Sequence, residues 1–197
     1  MKILANVFHP DLTQSTVNRR WVEELKQHPE ITLNIVYERY PDWQIDIERE
    51  QRLLLAHDRI VFQHPFYWYS TPPLMKKWLD DVLAFGWAYG PEGTQLAGKE
   101  WVSAISTGGP AESYQAGGYN HYSMSELLKP LQQTANLTGM VYLPAFVTHG
   151  VVVASAEEID RSAGDYLEHI LDPELNPQVK LGKLLGEMED EGVELEP

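Results

Sequence analysis

Short apolar, β-rich runs alternate with amphipathic segments along almost the whole chain, and few folds can accept that order. The runs occupy residues 3–8, 32–37, 59–63, 101–106 and 140–149. Apolar residues at helical spacing fill 15–27, 47–56, 72–83, 123–136 and 155–170. In the first of these, Val17, Trp21, Val22 and Leu25 share a face, and Ser15 or Thr13 can cap the start. Pro72-Pro73 suits a first helical turn, where the N–H has no partner to lose. Ser123-x-x-Glu126 matches a capping box. Pro130 predicts a kink or a late start in the fourth helix. Pro144 predicts an irregularity in the fifth strand. Regular strand–helix alternation predicts an α/β chain, a mostly parallel doubly wound sheet with helices on both faces.

In such a sheet ligands sit outside the carboxyl ends of the strands. The loops after the first, third and fourth strands should therefore meet. In the first, the helix start at Ser15, Thr16, Val17 and Asn18 offers free N–H groups and a positive dipole end, an anion site with Arg19 and Arg20 nearby; plain capping by Ser15 is the alternative. No Gly-rich fingerprint or Walker-type loop occurs. In the second, Pro65, Phe66, Tyr67, Trp68 and Tyr69 place aromatics between prolines directly after a buried strand. They either line a flat ligand or pack under the next helix. In the third, Ser106, Thr107, Gly108 and Gly109 allow close backbone approach, with N–H groups suited to the anionic edge of a reduced flavin. Tyr114 and His121, seven apart, can share a proton across the same site.

Other chemistries lack their parts. There is no G-x-S-x-G elbow, and the seven histidines show no metal-ligand spacing. Asp80-Asp81 reads as a solvated helix face. With no cysteine, disulfides and thiolate chemistry are excluded, which suits a cytoplasmic protein. A net charge of −14 and the lack of a basic stripe argue against nucleic acid. No apolar run is long enough to span a membrane. The 197 residues suit one domain, read as 1–171, followed by an acidic tail at 172–197 with eight acidic residues and two lysines. That tail reads as solvated. A partner-binding or dimer-covering segment is the alternative, since Leu181, Leu184, Leu185 and Met188 form a weak stripe opposed by Gly182 and Gly186.

Several motifs together resemble the bacterial flavodoxin-like NAD(P)H:quinone oxidoreductases. These are His9-Pro10 with Ser15-x-x-Asn18, Tyr40-Pro41-Asp42 with Ile45-Asp46-Ile47, and Gln63-His64-Pro65 with Trp68-Tyr69-Ser70. Pro72-Pro73-Leu74-Met75-Lys76, Gly86-Trp87-Ala88-Tyr89-Gly90 and Thr107-Gly108-Gly109 complete the set. Within that family the chain is most similar to the ancillary subunit of glutathione-regulated potassium-efflux systems and its soluble relatives. The resemblance implies a flavodoxin-like five-stranded parallel sheet in the order 2-1-3-4-5. It implies FMN, with FAD as the alternative, and two-electron hydride transfer from NAD(P)H to quinones. A homodimer with its flavin sites at the interface is also implied.

Carried over by position, His9 and Ser15 to Asn18 should hold the flavin phosphate and chain. Phe66 to Tyr69 should line the ring, with Pro65 binding the cofactor beside them, and Ser106 to Gly109 should hold its pyrimidine edge. Trp87 and Tyr89 should form a wall. Tyr114 and His121 should be the catalytic tyrosine–histidine pair, although their spacing differs by one residue from the family's. Two other readings remain. One is a regulatory subunit docked on a potassium-efflux transporter, which would put the protein at the inner face of the cell membrane. The other is a one-electron flavodoxin-type carrier.

Overall fold

The computed structural model of the chain describes residues 1–190. Its elements run β1 (Ile3–Val7), α1 (Val17–Leu25), β2 (Ile31–Ile35), α2 (Val36–Arg39), α3 (Ile47–Ala56), β3 (Arg59–Pro65) and α4 (Pro73–Val82). There follow β4 (Glu100–Ser106), α5 (Met124–Leu127), α6 (Lys129–Leu137), β5 (Val141–Tyr142), β6 (Phe146–Thr148), α7 (Ala156–Leu171) and α8 (Pro177–Asp190). The sheet order is β2-β1-β3-β4-β5, with β6 also on β4, and every pairing is parallel.

The period-2 pattern of the strands decides the layers. Leu4, Ile60, Phe62, Trp101 and Ile105 face one side, where α3, α4 and α6 pack. Ile3, Ala5, Val61, Val102 and Ala104 face the other, under α1 and α7. Both strand faces are apolar, as a sheet covered twice requires.

The two prolines act as their chemistry dictates. The helix expected over 123–136 breaks at Leu128 into α5 and α6, with Pro130 in the first turn of α6. The strand expected over 140–149 is two short ones. Trp101 pairs with Tyr142 and Ala104 with Phe146, so the segment containing Pro144 gains one residue on β4 and bulges. The strand expected over 32–37 stops at Ile35, because Tyr40 N–H closes a helical turn onto the Val36 carbonyl at 2.9 Å.

The segment after residue 171 begins as part of the core. Buried Arg59 donates from Nη1 to the carbonyls of Ile170 and Asp172 at 2.5 and 2.9 Å, and pairs with Glu100 at 2.6 Å. Leu175 is buried beside Ile170. Then α8 forms, with Leu181 and Leu184 more than half exposed. The remainder of the acidic tail, 191–197, lies outside the described residues. Among the described residues no helix is long and apolar enough to cross a membrane.

Candidate functional site

Register brings the ends of β3, β4 and β6 to one level. Pro65 pairs with Ser106, and Ser106 with Thr148, so the chain leaves β3, β4 and β6 side by side. Phe66 N–H donates to the Ser106 carbonyl at 2.9 Å, and Thr107 N–H to Thr148 at 2.9 Å. A cleft of about 230 Å³ opens between the loops, walled by Phe66, Trp68, Tyr69, Thr107–Gly109 and Tyr114.

The first loop presents the start of α1. Ser15 Oγ accepts from Asn18 N–H at 3.1 Å, so Ser15 is the side-chain cap, while Thr16 occupies the cap position without a side-chain bond. Thr13 is not the cap; it bonds Asp11 in a preceding 3₁₀ turn. Asn18 is buried, and its Nδ2 donates to Ser106 Oγ at 2.8 Å. Gln63 Nε2 donates to the Asn18 carbonyl at 3.1 Å and to its Oδ1 at 3.3 Å. This buried bridge locks the helix start to β3 and β4. His9 Nδ1 accepts from Asp11 N–H at 3.1 Å, which leaves the neutral ring's proton on Nε2 as a donor. Burial lowers the His9 pKa, and Asp11 opposes that shift. Arg20 is turned away, onto Asp160 at 2.6 Å and Glu24 at 2.8 Å; Arg19 Nη1 donates to the Thr13 carbonyl at 3.2 Å.

The second loop is a strained hairpin. Ser70 N–H closes onto the Tyr67 carbonyl at 2.9 Å, and the two central residues, Trp68 and Tyr69, have φ of 49° and 59°. That is a type I′ turn, which normally takes Asn or Gly. Two bulky rings held left-handed cost on the order of 1 kcal/mol or more each. Trp68 is 93% exposed, so folding of one chain gains little from its ring. Beneath the turn, His64 is fully buried; its Nδ1 donates to the Pro65 carbonyl at 3.0 Å and its Nε2 has no partner. Burial drives its pKa down to about 4.

The third loop is open. A Cβ on Gly108 would come within 3.1 Å of Val152 Cγ2, and one on Gly109 within 3.1 Å of the Tyr114 ring and hydroxyl. Tyr114 is fixed by a 2.6 Å bond between its hydroxyl and Thr107 Oγ1. Among the described residues the backbone N–H groups of Thr16, Val17, Trp68, Tyr69, Gly108 and Gly109 donate to no protein acceptor. Free donors thus occur in all three loops that follow β1, β3 and β4.

Among the described residues no hydrogen bond or ring contact joins the expected pair Tyr114 and His121. Gly117 (φ 81°) and Gly118 double the loop back, with Asn120 N–H on the Ser113 carbonyl at 3.0 Å. Asn120 then meets Tyr69 Oη at 3.0 Å, while His121 sits exposed at φ 64° and is not bonded to Tyr114. The ring against Tyr114 is His149, at 5.3 Å between centroids. Sequence reading missed His149. The rule that placed sites after strands one, three and four also applies to the segment after β6, of which His149 is the first residue.

Tyr89 lines a larger apolar cleft of about 380 Å³ between α4 and α5–α6, which shares Phe66 and Tyr69 with the smaller one; Trp87 packs against the core. Size does not select the site, because the free donors sit at the smaller cleft. Asp80 and Asp81 pair with Lys76 and Lys77 one turn back and form a solvated face.

The family model described as the flavodoxin-like fold matches residues 1–170. The uncharacterized NAD(P)H oxidoreductase YdeQ of Bacillus subtilis is 52% identical over 189 residues, 96% of each chain. The glutathione-regulated potassium-efflux system ancillary protein KefG of Escherichia coli is 42% identical over 175 residues, 87% of this chain and 95% of KefG. Among solved structures, general stress protein 14 of Treponema denticola in complex with FMN is 42% identical with a TM-score of 0.82, covering 85% of this chain and 96% of that one. An NADPH-quinone reductase of P. pentosaceus is 32% identical with a TM-score of 0.79, covering 87% and 99%. A chain described as a thermophilic tryptophan halogenase from Streptomycin violaceusniger is 54% identical with a TM-score of 0.84, covering 86% and 98%.

Proposed function

The chain belongs to the flavodoxin-like family, and from that premise we propose that it is an FMN-dependent NAD(P)H:quinone oxidoreductase. The observation that carries the reading is the set of unpaired backbone N–H groups at 68–69 and 108–109 around an aromatic cleft, with a further unpaired pair at 16–17 on the helix start that Asn18 ties to Ser106 beside it. A ligand with a phosphate at one end and a flat polar-edged ring at the other satisfies all three. The bland alternative, an aromatic loop packed as core, conflicts with the exposure of Trp68 and with the strain of its turn. FMN is the flavin named for a 42% identical structure, and NAD(P)H oxidoreductase or quinone reductase is the activity named for two relatives. Halogenation, named for one neighbour, is not adopted, because no feature of the cleft argues for it over hydride transfer.

In this reading the α1 start, His9 Nε2–H and Ser15 hold the phosphate. Phe66, Tyr67, Trp68 and Tyr69 flank the ring and exclude water from one face. Gly108 and Gly109 direct N–H groups at the pyrimidine edge, where donors fixed in advance favour negative charge. Bound there, FMN supplies the two-electron chemistry that passes hydride from nicotinamide to quinone. Tyr114, tethered to Thr107, offers a hydroxyl at the same cleft, and His121 stands apart from it. The larger cleft, flanked by exposed Phe85 and Leu137, is where a second copy would complete a homodimer.

The test is direct. The purified chain should carry a flavin spectrum, release FMN on denaturation, bleach with NADPH, and turn over with a benzoquinone. A colourless protein that neither binds added FMN nor turns over would end the proposal. Likeness to KefG supports a second role, docking on a potassium-efflux transporter. A pulldown with that transporter's cytosolic domain, against an unrelated membrane protein, should enrich this chain.

A further inference from the structure

The segment after β6 does more than end the sheet. Thr107 N–H bonds Thr148, Gly150 N–H bonds the Gly109 carbonyl at 2.9 Å, and Val151 N–H bonds the Thr107 carbonyl at 3.2 Å. Residues 148–151 thus strap the third loop from behind. At the centre of the strap, the His149 ring packs against Tyr114 with a 44° tilt, and the ring of Phe66 approaches Tyr114 at 6.3 Å. His149 Nδ1 is buried without a partner. We propose that His149 is the histidine that works with Tyr114, a positioning residue that holds the tyrosine at the cleft and takes up a proton when the cleft gains negative charge.

The inference rests on the flavin reading of the cleft. The charged and titratable groups facing the ring are Glu112, on the 3₁₀ turn of 111–113, and Tyr114; the Gly109 carbonyl also faces it. Burial holds His149 below the ordinary histidine value, while Glu112 and the Gly109 carbonyl pull the other way. The ring is therefore neutral at neutral pH and has an acid beside it that favours charging. Electrons arriving at the pyrimidine edge add a second negative neighbour. His121 has none of these contacts.

The measurement is proton uptake on two-electron reduction of the full-length FMN-bound chain, read as the pH slope of its midpoint potential from roughly pH 5 to 7. The wild type should take up an additional proton over that range, H149Q should lose it, and H121Q should keep it. Ring NMR of the unsubstituted protein gives an independent readout: the His149 imidazole should protonate on reduction while His121 does not move. H149Q should also bind FMN up to about tenfold more weakly, from the lost ring packing on Tyr114. An unchanged slope in folded, FMN-loaded H149Q, a slope lost in H121Q, or a His149 ring that stays neutral overturns the inference. Failure to bind FMN at all sinks instead the reading beneath it.

Discussion

Replacing Asn18 with Asp tests the phosphate end of the site without removing an atom of bulk. Asn18 donates to Ser106 and accepts from Gln63. A carboxylate keeps both contacts, since the Ser106 hydroxyl can turn to donate and Gln63 already does. An acid in the first turn of α1 also gains about 0.3–1 kcal/mol from the helix dipole. Asn18 is buried, so the two donors and the dipole offset only part of the cost of placing a carboxylate there, and the variant should fold with reduced stability that is measured alongside binding. The phosphate is another matter. Residue 18 lies within one helical turn of the free N–H groups at 16 and 17, roughly 5.4 Å. Two unit charges at that separation repel by about 3 kcal/mol at an effective dielectric of about 20. FMN affinity should fall by about a hundredfold or more. Riboflavin, which has the ring but no phosphate, should lose far less. Quenching of flavin fluorescence gives both constants. An equal loss for FMN and riboflavin, or none for either, would refute the placement of the phosphate at α1.

Three further outcomes follow from the same geometry. Gly108→Val should leave the fold intact but weaken FMN binding about tenfold or more, because its branches meet Val152 on one side and the cleft on the other; cofactor content after purification measures it. His64, neutral in the native state with a pKa of about 4, should make stability fall with acidity. The unfolded chain binds the proton first below about pH 6.5, so about 3 kcal/mol is lost progressively between pH 6.5 and 4 and is fully present above that window. Urea unfolding at several pH values should show that slope, and His64→Leu should flatten it. Substituting Asn for Trp68 and Gly for Tyr69 together should raise stability by about 1 kcal/mol or more while lowering FMN affinity, read by thermal unfolding and flavin quenching.

The fold was legible because each strand is apolar on both faces and each helix carries its stripe. Nothing in those patterns depends on distant contacts. Strand order came from the resemblance, since apolar strands do not announce their neighbours. The breaks at Leu128 and around Pro144 were legible from proline's missing N–H. The start of α8 was not: Gly182 and Gly186 argued against a helix that forms nonetheless. At the site, the three loops could be named from sequence because the sheet's carboxyl edge is a topological place. The pairing within it could not. Tyr114 and His121 are near in sequence yet share no recorded contact, while the segment after β6 brings the His149 ring against Tyr114 from 35 residues away.

A buried polar cluster beside β1 and β2 shows by contrast why the loops after β3 and β4 are the site. Beneath β1 and β2, Glu50 is buried, and its carboxylate accepts from Asn34 at 2.8 Å, Tyr40 at 2.7 Å, Trp78 at 2.9 Å and Arg49 at 2.5 Å. A charge so fully satisfied has nothing left to offer a ligand; it fixes the edge of the sheet. Around the ends of β3, β4 and β6 the pattern reverses. Gln63 Oε1, His64 Nε2 and His149 Nδ1 are buried without partners, six loop N–H groups are free, and two aromatic residues are held left-handed. Buried atoms of this kind cost stability in an empty protein. Asn6 Nδ2, Arg59 Nη2 and the hydroxyls of Tyr142 and Tyr166 are unpaired elsewhere in the core, so unpaired buried atoms do not by themselves mark a site; the free N–H groups and the left-handed aromatic turn that line one cleft do, because only a ligand repays them.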